Sequence, residues 1–353
     1  MIGYCTLFDS YYLDKGIALA ISLSQYLDDD KVLYIYAFDQ RAYDVLKDLK
    51  LKNVVPVLFE DVISDELKEI RKVRTRAEFC WTCTPFIIEY TFQKFNTRIC
   101  TYIDADLYFY SNPQILIDEM LNENCSAQVV EHRFPDTKAY KSIIKGSGRY
   151  CVQFNTFLNN EKGRQILLWW REQCFACCTS DWTQGSFGDQ KYLEEWQERF
   201  GSVNIMKNHG GGMAPWNIGR YKLIPKDADK VLFEERTSKS LYELYFYHFH
   251  DLHFVSQEEV DINIYLRHKK VDDLLVQKIY APYLKELVRI REMLKVKYQI
   301  SFSDNWKKDT YILWKEGEKL TFFGRIKRVI KSPVALYKRV ILKKKDIYNL
   351  KGL

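Results

Sequence analysis

Two aspartates, Asp104 and Asp106, follow a short apolar stretch and are separated by a single alanine. The stretch at 99–103 is almost continuously apolar, which is typical of a strand buried on both faces of a sheet. Two carboxylates at the end of such a strand are costly to remove from water unless a positive charge lies between them. Carboxylate oxygens suit Mg²⁺ or Mn²⁺, which complete their coordination with phosphates and water. The pair therefore predicts a divalent metal site that grips a phosphate. A solvated acidic loop is the alternative.

The segments that precede these aspartates alternate between strand and helix patterns. Strand patterns occur at 4–8, 31–38 and 54–59, and helical patterns lie between them at 13–27 and 42–49. This β-α-β-α-β order predicts a mostly parallel sheet flanked by helices, with a nucleotide bound beyond the carboxyl ends of the strands. Four residues at the end of the first strand would then cradle base and ribose: Thr6, Leu7, Tyr11 and Tyr12. Glycine-rich dinucleotide and P-loop motifs are absent from the sequence.

A basic residue, Arg76, lies ahead of a helical pattern at 86–95. Thr84 is the predicted N-cap of that helix, and Pro85 is its predicted first residue. Because this helix directly precedes the strand with the two aspartates, Arg76 is placed to reach the same crevice and meet phosphate or base. A surface position for this arginine is equally compatible with the sequence.

The second half of the chain continues the α/β pattern. A strand pattern at 128–130 is followed by a segment at 132–150 rich in lysine, glycine and serine, which we interpret as a loop able to close over a substrate. A strand pattern at 151–160 and an amphipathic helical pattern at 163–178 follow. These elements extend the predicted sheet and its helical cover.

Three motifs follow the aspartates in a fixed order. They are Phe-Asn-Thr-Phe-Leu-Asn at 154–159, Gly-Asp-Gln-Lys-Tyr-Leu at 188–193 and Tyr-His-Phe-His-Asp-Leu-His at 247–253. Together with the Asp-Ala-Asp tripeptide they resemble the GT-A glycosyltransferases that use nucleotide sugars. The more specific, distant resemblance is to glycosyltransferase family 8, the glycogenin-like and bacterial lipopolysaccharide galactosyltransferase family. It spans residues 1 to about 260.

This sequence departs from that family's pattern at three points. Asp251 stands where the family's His-Phe-x-Gly segment has glycine, the Lys-Pro-Trp that follows is missing, and Asn-Thr-Phe replaces Asn-Ser-Gly. The resemblance therefore does not carry over the identity of the donor sugar or the stereochemistry.

The resemblance implies roles for the matched residues. Asp104, Asp106 and His248 would bind Mn²⁺ or Mg²⁺ as the cofactor, and with Ala105 they would hold the donor diphosphate. Asn155 would hold the donor sugar. A bound divalent metal stabilises the charge that develops on a departing nucleoside diphosphate. A buried structural histidine is the alternative for His248.

Asp189 and Gln190 are the predicted catalytic residues. In an inverting reaction, Asp189 would be the general base that deprotonates the acceptor hydroxyl. In a retaining reaction, which we favour, Asp189 would orient sugar hydroxyls while Gln190 lies beneath the anomeric carbon. A third interpretation is that Asp189 only caps a helix at 190–196.

The segment 208–217 contains three glycines followed by Pro-Trp-Asn. Glycines allow the backbone to approach a ligand closely, and an exposed tryptophan offers a flat face to a sugar ring. Trp216 and Asn217 are therefore predicted to line the acceptor side of the site. The alternative is a plain turn with Trp216 inserted into the core.

The C-terminal segment carries the positive charge of this 353-residue chain, whose formal net charge is +6. Residues 321–353 hold ten lysines and arginines and one acid, so the first 320 residues have a net charge of −3. Interleaved apolar and basic residues at 322–350 predict a helical tail that lies on an anionic membrane. A solvated tail is the alternative, and no nucleic-acid-binding motif accompanies the basic residues.

The start of the sequence, its apolar runs and its cysteines together predict a reducing compartment. The sequence has no apolar run near eighteen residues, and its start has no basic region ahead of an apolar core, so we expect a cytoplasmic protein at the inner face of the membrane. Nine cysteines are expected to be reduced thiols. Two Cys-x-x-Cys pairs, at 80–83 and 174–177, leave a structural zinc site or a redox role as alternatives.

These observations predict a GT-A catalytic domain at 1–265, with a nucleotide-binding half at 1–110 and a sugar and acceptor half at 111–265. A helical extension with the basic tail is predicted at 266–353. The predicted activity is metal-dependent, hexosyltransferase-type transfer from a nucleotide-diphosphate sugar, a UDP-sugar, to a glycan or lipid-linked glycan in bacterial-type surface polysaccharide synthesis. A sugar nucleotidyltransferase and a non-catalytic, membrane-associated glycan-binding protein are the alternatives.

Overall fold

A seven-stranded mixed sheet forms the centre of the fold. The computed structural model describes residues 1–181, 186–225, 230–264, 273–302 and 347–350. Its strands are β1 (Ile2–Phe8), β2 (Lys31–Ala37), β3 (Val54–Leu58), β4 (Ile99–Ile103), β5 (Leu107–Phe109), β6 (Ala127–Glu131), β7 (Tyr150–Leu158), β8 (Val203–Ile205), β9 (Tyr221–Ile224), β10 (Leu232–Glu235), β11 (Leu241–Glu243), β12 (Phe246–His248), β13 (His253–Phe254), β14 (Glu259–Asp261) and β15 (Ile347–Asn349).

Helices cover the sheet and follow its strands along the chain. They are α1 (Leu13–Ser24), α2 (Gln40–Leu49), α3 (Asp65–Arg71), α4 (Arg76–Phe95), α5 (Gln114–Asn122), α6 (Lys138–Ser147), α7 (Glu161–Ala176), α8 (Trp196–Phe200), α9 (Asp273–Leu275) and α10 (Ala281–Tyr298). Among the described residues, 3-10 turns lie at Phe59–Asp61, Lys191–Glu195 and Ile218–Arg220. A π-helical turn at Val276–Tyr280 joins α9 to α10.

The strand order in the central sheet is β3-β2-β1-β4-β7-β6-β8. The pairs β2–β3, β1–β2, β1–β4 and β6–β8 are parallel, and β7 is antiparallel to both of its neighbours. The parallel part follows from the crossover helices between the first strands, because a parallel connection needs a long crossover. The predicted α/β class, with a mixed, mostly parallel sheet flanked by helices, is confirmed.

Each face of the sheet is covered by its own helical layer. One apolar core joins the sheet to α1, α2 and α10, and the other joins it to α4, α7 and α8. The 273–302 segment packs against α1, where Arg291 Nε lies 2.9 Å from an Asp14 carboxylate oxygen. All nine cysteines are free thiols. Four of them, Cys5, Cys83, Cys100 and Cys174, are buried in the second core.

The start of α4 differs from the prediction. The helix begins at Arg76 because Thr75 and Glu78 form a capping box, in which each side chain bonds the other's backbone amide. Pro85 therefore lies inside α4, and Thr84 is not an N-cap. The predicted helix start at Pro85 rests on the proline alone, whereas the Thr-x-x-Glu pattern that begins ten residues earlier marks the observed start.

The segment at 132–150 also differs from the prediction. It contains a helix, α6, whose N-cap is Thr137, with the Thr137 hydroxyl accepting from the Tyr140 amide. The prediction of a loop was wrong for residues 138–147, because the lysine, serine and glycine content hid an amphipathic pattern.

The C-terminal tail predicted to be helical lies largely outside the described residues. Of the segment 322–350, the structure describes 347–350, where β15 pairs antiparallel with β14. Within the described part of the chain, no helix is both long and apolar enough to cross a membrane.

Replacing Thr75 by alanine should destabilise the protein by about 1 kcal/mol, since it removes the N-cap of α4. Chemical denaturation would measure the loss, with Thr237→Ala, an exposed threonine on a turn, as the control. Equal stability of the two variants would show that the capping box contributes nothing to the fold.

Candidate functional site

Strand pairing brings His248 to the two aspartates that follow β4. Asp104 and Asp106 lie in the short connection to β5, and β5 pairs antiparallel with β12 so that Leu107 lies opposite His248. The Phe249 amide donates to the Asp106 carbonyl at 3.0 Å, which extends this pairing by one more bond. The backbone alone therefore places the imidazole beside both carboxyl groups.

The His248 imidazole is held from two sides. Its Nε2 lies 3.0 Å from Asp106 Oδ1 and 3.9 Å from Asp104 Oδ2, and its Nδ1 lies 3.0 Å from the side-chain oxygen of Gln153. Burial lowers the pKa of His248, but the charge of Asp106 and the hydrogen bond to it outweigh that effect and raise the pKa well above 6.5. The ionised Asp106 therefore favours the protonated form of the ring.

The pKa values of the Asp104 and Asp106 carboxyl groups are shifted in opposite directions. Burial raises the pKa of Asp104 to about 6, although the charge of His248 partly offsets this. For Asp106 the hydrogen-bonded imidazolium outweighs burial and holds the pKa well below its usual value. Two carboxylates and an imidazole form a donor set that fits Mg²⁺ or Mn²⁺. A cation at this point would replace the protons that now balance the charge.

Two compact sets of possible metal ligands occur among the described residues. Asp104, Cys151 and His248 form one, and Asp106, His248 and His250 form the other, with the ligand atoms in each set within 4.8 Å of one another. The predicted combination of Asp104, Asp106 and His248 shares members with both but is not itself such a compact set. Sequence analysis gave no signal for Cys151, which is one of several cysteines in apolar strands.

Asp189 lies on the wall of the same cavity and is buried. Burial raises the pKa of its carboxyl to about 7, an increase opposed by a hydrogen bond to Thr84 and reinforced by the charge of Asp104. Asp189 precedes the 3-10 turn Lys191–Glu195, and its carboxyl also bonds the Gln190 amide. Its position is thus compatible with a general base, a sugar ligand or a cap, and its role stays a prediction.

Gln190 also lies on this wall, where its side-chain amide donates to the Ser147 carbonyl at the end of α6 at 2.6 Å. The helix α6 therefore forms part of the cavity boundary through its last turn.

The cavity has a volume of about 650 Å³ and lies beyond the carboxyl ends of β1 and β4. Most of the predicted site residues line it, namely Leu7, Tyr11, Tyr12, Arg76, Asp104, Ala105, Asp106, Asp189, Gln190, Trp216 and His248. Three predicted residues lie behind the wall and are fully buried: Thr6, Asn155 and Asn217.

Asn155 and Asn217 differ in how they are buried. Asn155 lies in β7 opposite Tyr102, and neither polar atom of its side chain has a hydrogen-bond partner. The Asn217 amide donates to the carbonyls of His132 and Gly212, each at 2.9 Å. Asn217 therefore stabilises the segment that precedes it.

The glycines of the 208–217 segment serve close packing within the chain. Any side chain at Gly210 would collide with the Glu243 carbonyl. The buried guanidinium of Arg133 donates to three carbonyls of this segment, those of Asn208, His209 and Gly211, and to the Met206 carbonyl just before it at 3.2 Å. Gly210 thus lets backbone meet backbone, and Gly211 and Gly212 lie close to neighbouring side chains, whereas the sequence pattern predicts a close approach to a ligand.

Trp216 is only 4% exposed, and its indole N–H donates to the His132 carbonyl. Its ring meets the His248 ring edge-on, with centroids 5.1 Å apart. The alternative of a tryptophan inserted into the core describes this residue better than an exposed sugar platform, although it contributes to the cavity wall.

At the other end of the cavity, Arg76 forms an ion pair with Asp9 directly after β1. Its guanidinium lies over the Tyr11 ring, 4.2 Å from the centroid. Tyr11 is half exposed. The expectation that Arg76 reaches the crevice agrees with its place on the cavity wall, and its contact with a ligand stays a prediction.

Asp251, which replaces a glycine of the resembled motif, has a left-handed backbone with φ of 62°. Glycine adopts this conformation without steric cost, and aspartate is among the few other residues that tolerate it. The Asp251 carboxylate accepts from the Asn263 amide at 2.7 Å. The substitution therefore leaves the turn after β12 intact.

A mixed α/β sheet with a carboxylate-lined cavity at the ends of its parallel strands defines the structural class of this protein. No protein-family model matches the chain. It is 30% identical over 267 residues to the uncharacterized protein YfnF of Bacillus subtilis (strain 168), an alignment that covers 73% of this chain and 84% of YfnF. The chain belongs to the same family as YfnF.

A second Bacillus subtilis (strain 168) relative, the uncharacterized protein YfnD, is 29% identical over 289 residues, which cover 81% of this chain and 88% of YfnD. Among solved structures, the chain is similar to the galactosyltransferase LgtC, with a TM-score of 0.49 and 12% identity over 87% of this chain and 99% of LgtC. It is also similar to mouse xyloside xylosyltransferase 1, with a TM-score of 0.44 and 10% identity over 71% of this chain and 98% of that one.

Replacing Asp189 by asparagine should stabilise the protein increasingly as the pH rises. A carboxyl whose pKa is raised by folding, here from 3.8 to about 7, favours the folded state only while protonated, so this contribution is lost between those two values. Relative to wild type, the variant should gain about 2 kcal/mol between roughly pH 5 and pH 8.

Chemical denaturation with metal chelated would measure this gain. The exposed carboxyl of Asp65 provides the control, because the stability difference between Asp65→Asn and wild type should stay constant over this range. If the stability difference between Asp189→Asn and wild type were also constant over this range, the raised pKa of Asp189 would be contradicted.

Proposed function

We propose that this protein is a metal-dependent glycosyltransferase that moves a sugar from a nucleotide-diphosphate sugar, a UDP-sugar, to a glycan acceptor. The observation that carries this proposal is the convergence of Asp104, Asp106 and Asp189 on one cavity whose wall also contains His248. Carboxyl groups around one buried cavity repel one another when all are ionised, and a bound cation would offset that repulsion. A metal that bridges to a diphosphate would balance this charge.

The donor is proposed to lie across the carboxyl ends of the parallel strands. Base and ribose would lie at the end of β1, against Leu7 and Tyr11, where Arg76 and Asp9 offer charged hydrogen-bonding groups. The diphosphate would then point along the cavity to Asp104 and the end of β4. This arrangement follows the general rule that nucleotides bind outside the carboxyl ends of strands in α/β sheets.

Asp104, Asp106 and His248 would hold Mn²⁺ or Mg²⁺, which stabilises the negative charge of the leaving nucleoside diphosphate when bound. Gln153 orients the imidazole through its contact with Nδ1, so that Nε2 faces the carboxylates. A partner on the second ring nitrogen is a common feature of histidines that bind metals.

Asp189 and Gln190 would contact the transferred sugar. A carboxyl with a pKa of about 7 exists in both protonation states near neutral pH, so Asp189 can donate or accept a hydrogen bond to a sugar hydroxyl. We favour the retaining arrangement, in which Asp189 orients the sugar and Gln190 lies beneath the anomeric carbon. Base catalysis by Asp189 would instead give inversion.

The acceptor is proposed to be a lipid-linked or surface glycan of a bacterial type. This part of the proposal rests on the sequence of 322–350, where nine lysines and arginines are interleaved with apolar residues. Each cation near an anionic leaflet contributes about 1 kcal/mol of attraction. The enzyme would act at the inner face of the membrane through this segment.

A donor screen tests the activity. Purified protein with Mn²⁺ or Mg²⁺ should release nucleoside diphosphate from one member of a panel of nucleotide sugars, and Asp106→Asn should lower this rate by about 100-fold. The exposed variant Asp65→Asn should keep the wild-type rate. Metal-independent release, or equal rates for the two variants, would contradict the proposed centre.

The stereochemistry can be measured on the same reaction. Proton NMR of the first product formed should show the anomeric configuration of the donor if transfer is retaining. The opposite configuration would favour Asp189 as general base, and Asp189→Asn would then abolish transfer while donor binding persists.

A further inference from the structure

Cys151 lies at the start of β7 and is buried against the metal-ligand candidates. It is only 5% exposed, yet it contributes to the wall of the cavity. It packs with Ala214 and Trp216 in a small apolar cluster of its own, separate from the two large cores. Neither the resemblance to known glycosyltransferases nor the proposed transfer reaction assigns a role to this thiol.

The Cys151 sulfur lies within 4.8 Å of one ligand atom each from Asp104 and His248. Between Asp104 and His248, the Oδ2 and Nε2 atoms are 3.9 Å apart. In a tetrahedral zinc site with bonds of about 2.0–2.3 Å, ligand atoms lie roughly 3.3–3.8 Å from one another. Small side-chain adjustments would therefore close these three groups around one ion, with the fourth position open to the cavity.

This set differs from the oxygen-rich set of Asp104, Asp106 and His248 in the kind of metal that it selects. Thiolate and imidazole ligands favour Zn²⁺ and similar ions, whereas Mg²⁺ and Mn²⁺ prefer carboxylate, phosphate and water oxygens. Both sets use Asp104 and His248, so they cannot be filled at the same time. Occupation of one set removes two of the three protein ligands from the other.

We propose that Asp104, Cys151 and His248 form a binding site for a thiophilic divalent cation such as Zn²⁺, which excludes Mn²⁺ or Mg²⁺ from the neighbouring set and so inhibits the enzyme. On binding, the sulfur–metal bond replaces the S–H bond, and the thiol proton passes to solvent. The inhibitory consequence rests on the proposed glycosyltransferase function, but the cation site itself does not.

Cobalt(II) provides a direct probe of the site in the full-length chain. A thiolate bound to Co²⁺ gives a charge-transfer absorption in the near ultraviolet. One equivalent of Co²⁺ should produce this absorption in wild type, and Zn²⁺ should remove it. The absorption should be absent in Cys151→Ser and in Cys151→Ala.

The matched control is Cys80→Ser, because Cys80 is the other cysteine on the cavity wall. This variant should keep the full absorption. Circular dichroism and thermal unfolding would establish that both Cys151 variants are folded. The site would be disproved if folded Cys151→Ser kept the absorption, or if wild type bound Co²⁺ without it.

Inhibition is measured separately. Zn²⁺ should inhibit donor turnover in competition with Mn²⁺, and Cys151→Ser should need at least about 10-fold more Zn²⁺ for the same inhibition. Unchanged inhibition in the variant would overturn the regulatory role. A cobalt–thiolate absorption in a protein that turns over no donor would instead keep the cation site and remove the proposed function.

Discussion

The contact between His248 and Asp106 is the constraint on which the rest of the site depends. It joins a buried imidazolium to a buried carboxylate at 3.0 Å and connects two segments that are distant in sequence, β5 and β12. Removing one partner of a buried pair typically costs 3–5 kcal/mol, because the other charge is left without compensation. The pair thereby stabilises the turn after β4, which carries Asp104 to the cavity, where burial raises the pKa of its carboxyl.

The protonation of the cavity follows from the unequal surroundings of its carboxyl groups. Asp106 is ionised by its imidazolium, whereas burial raises the pKa of Asp104 to about 6 and that of Asp189 to about 7. Protons on Asp104 and Asp189 therefore balance charge that a cation and its phosphate ligand would balance in their place. In the proposed reaction, this competition would favour binding of metal and donor together, since each would compensate charge that the other leaves exposed.

Intrachain contacts hold the far wall of the cavity in place. Arg133 satisfies three backbone carbonyls of the 208–217 segment and that of Met206, and Asn217 satisfies the carbonyls of Gly212 and His132. Unpaired buried carbonyls would be costly, so these side chains define a single path for the segment. Trp216 is thus fixed against His248 and Cys151, and the same wall serves both possible metal-ligand sets.

The sequence by itself determined the α/β sheet, the position of Asp104 and Asp106 at a strand end, and the candidacy of His248, because apolar periodicity and ordered motifs are local signals. Only the tertiary structure placed Cys151 in contact with His248, since that proximity depends on how β7 and β12 lie around β4. The tertiary structure also places Asn155 in the interior, although its motif predicts a residue of the cavity. Strand register decides which face a side chain occupies. Local signals compete as well: the capping box at Thr75 sets the start of α4, and apolar residues buried on both sides of Pro85 keep the helix continuous through it.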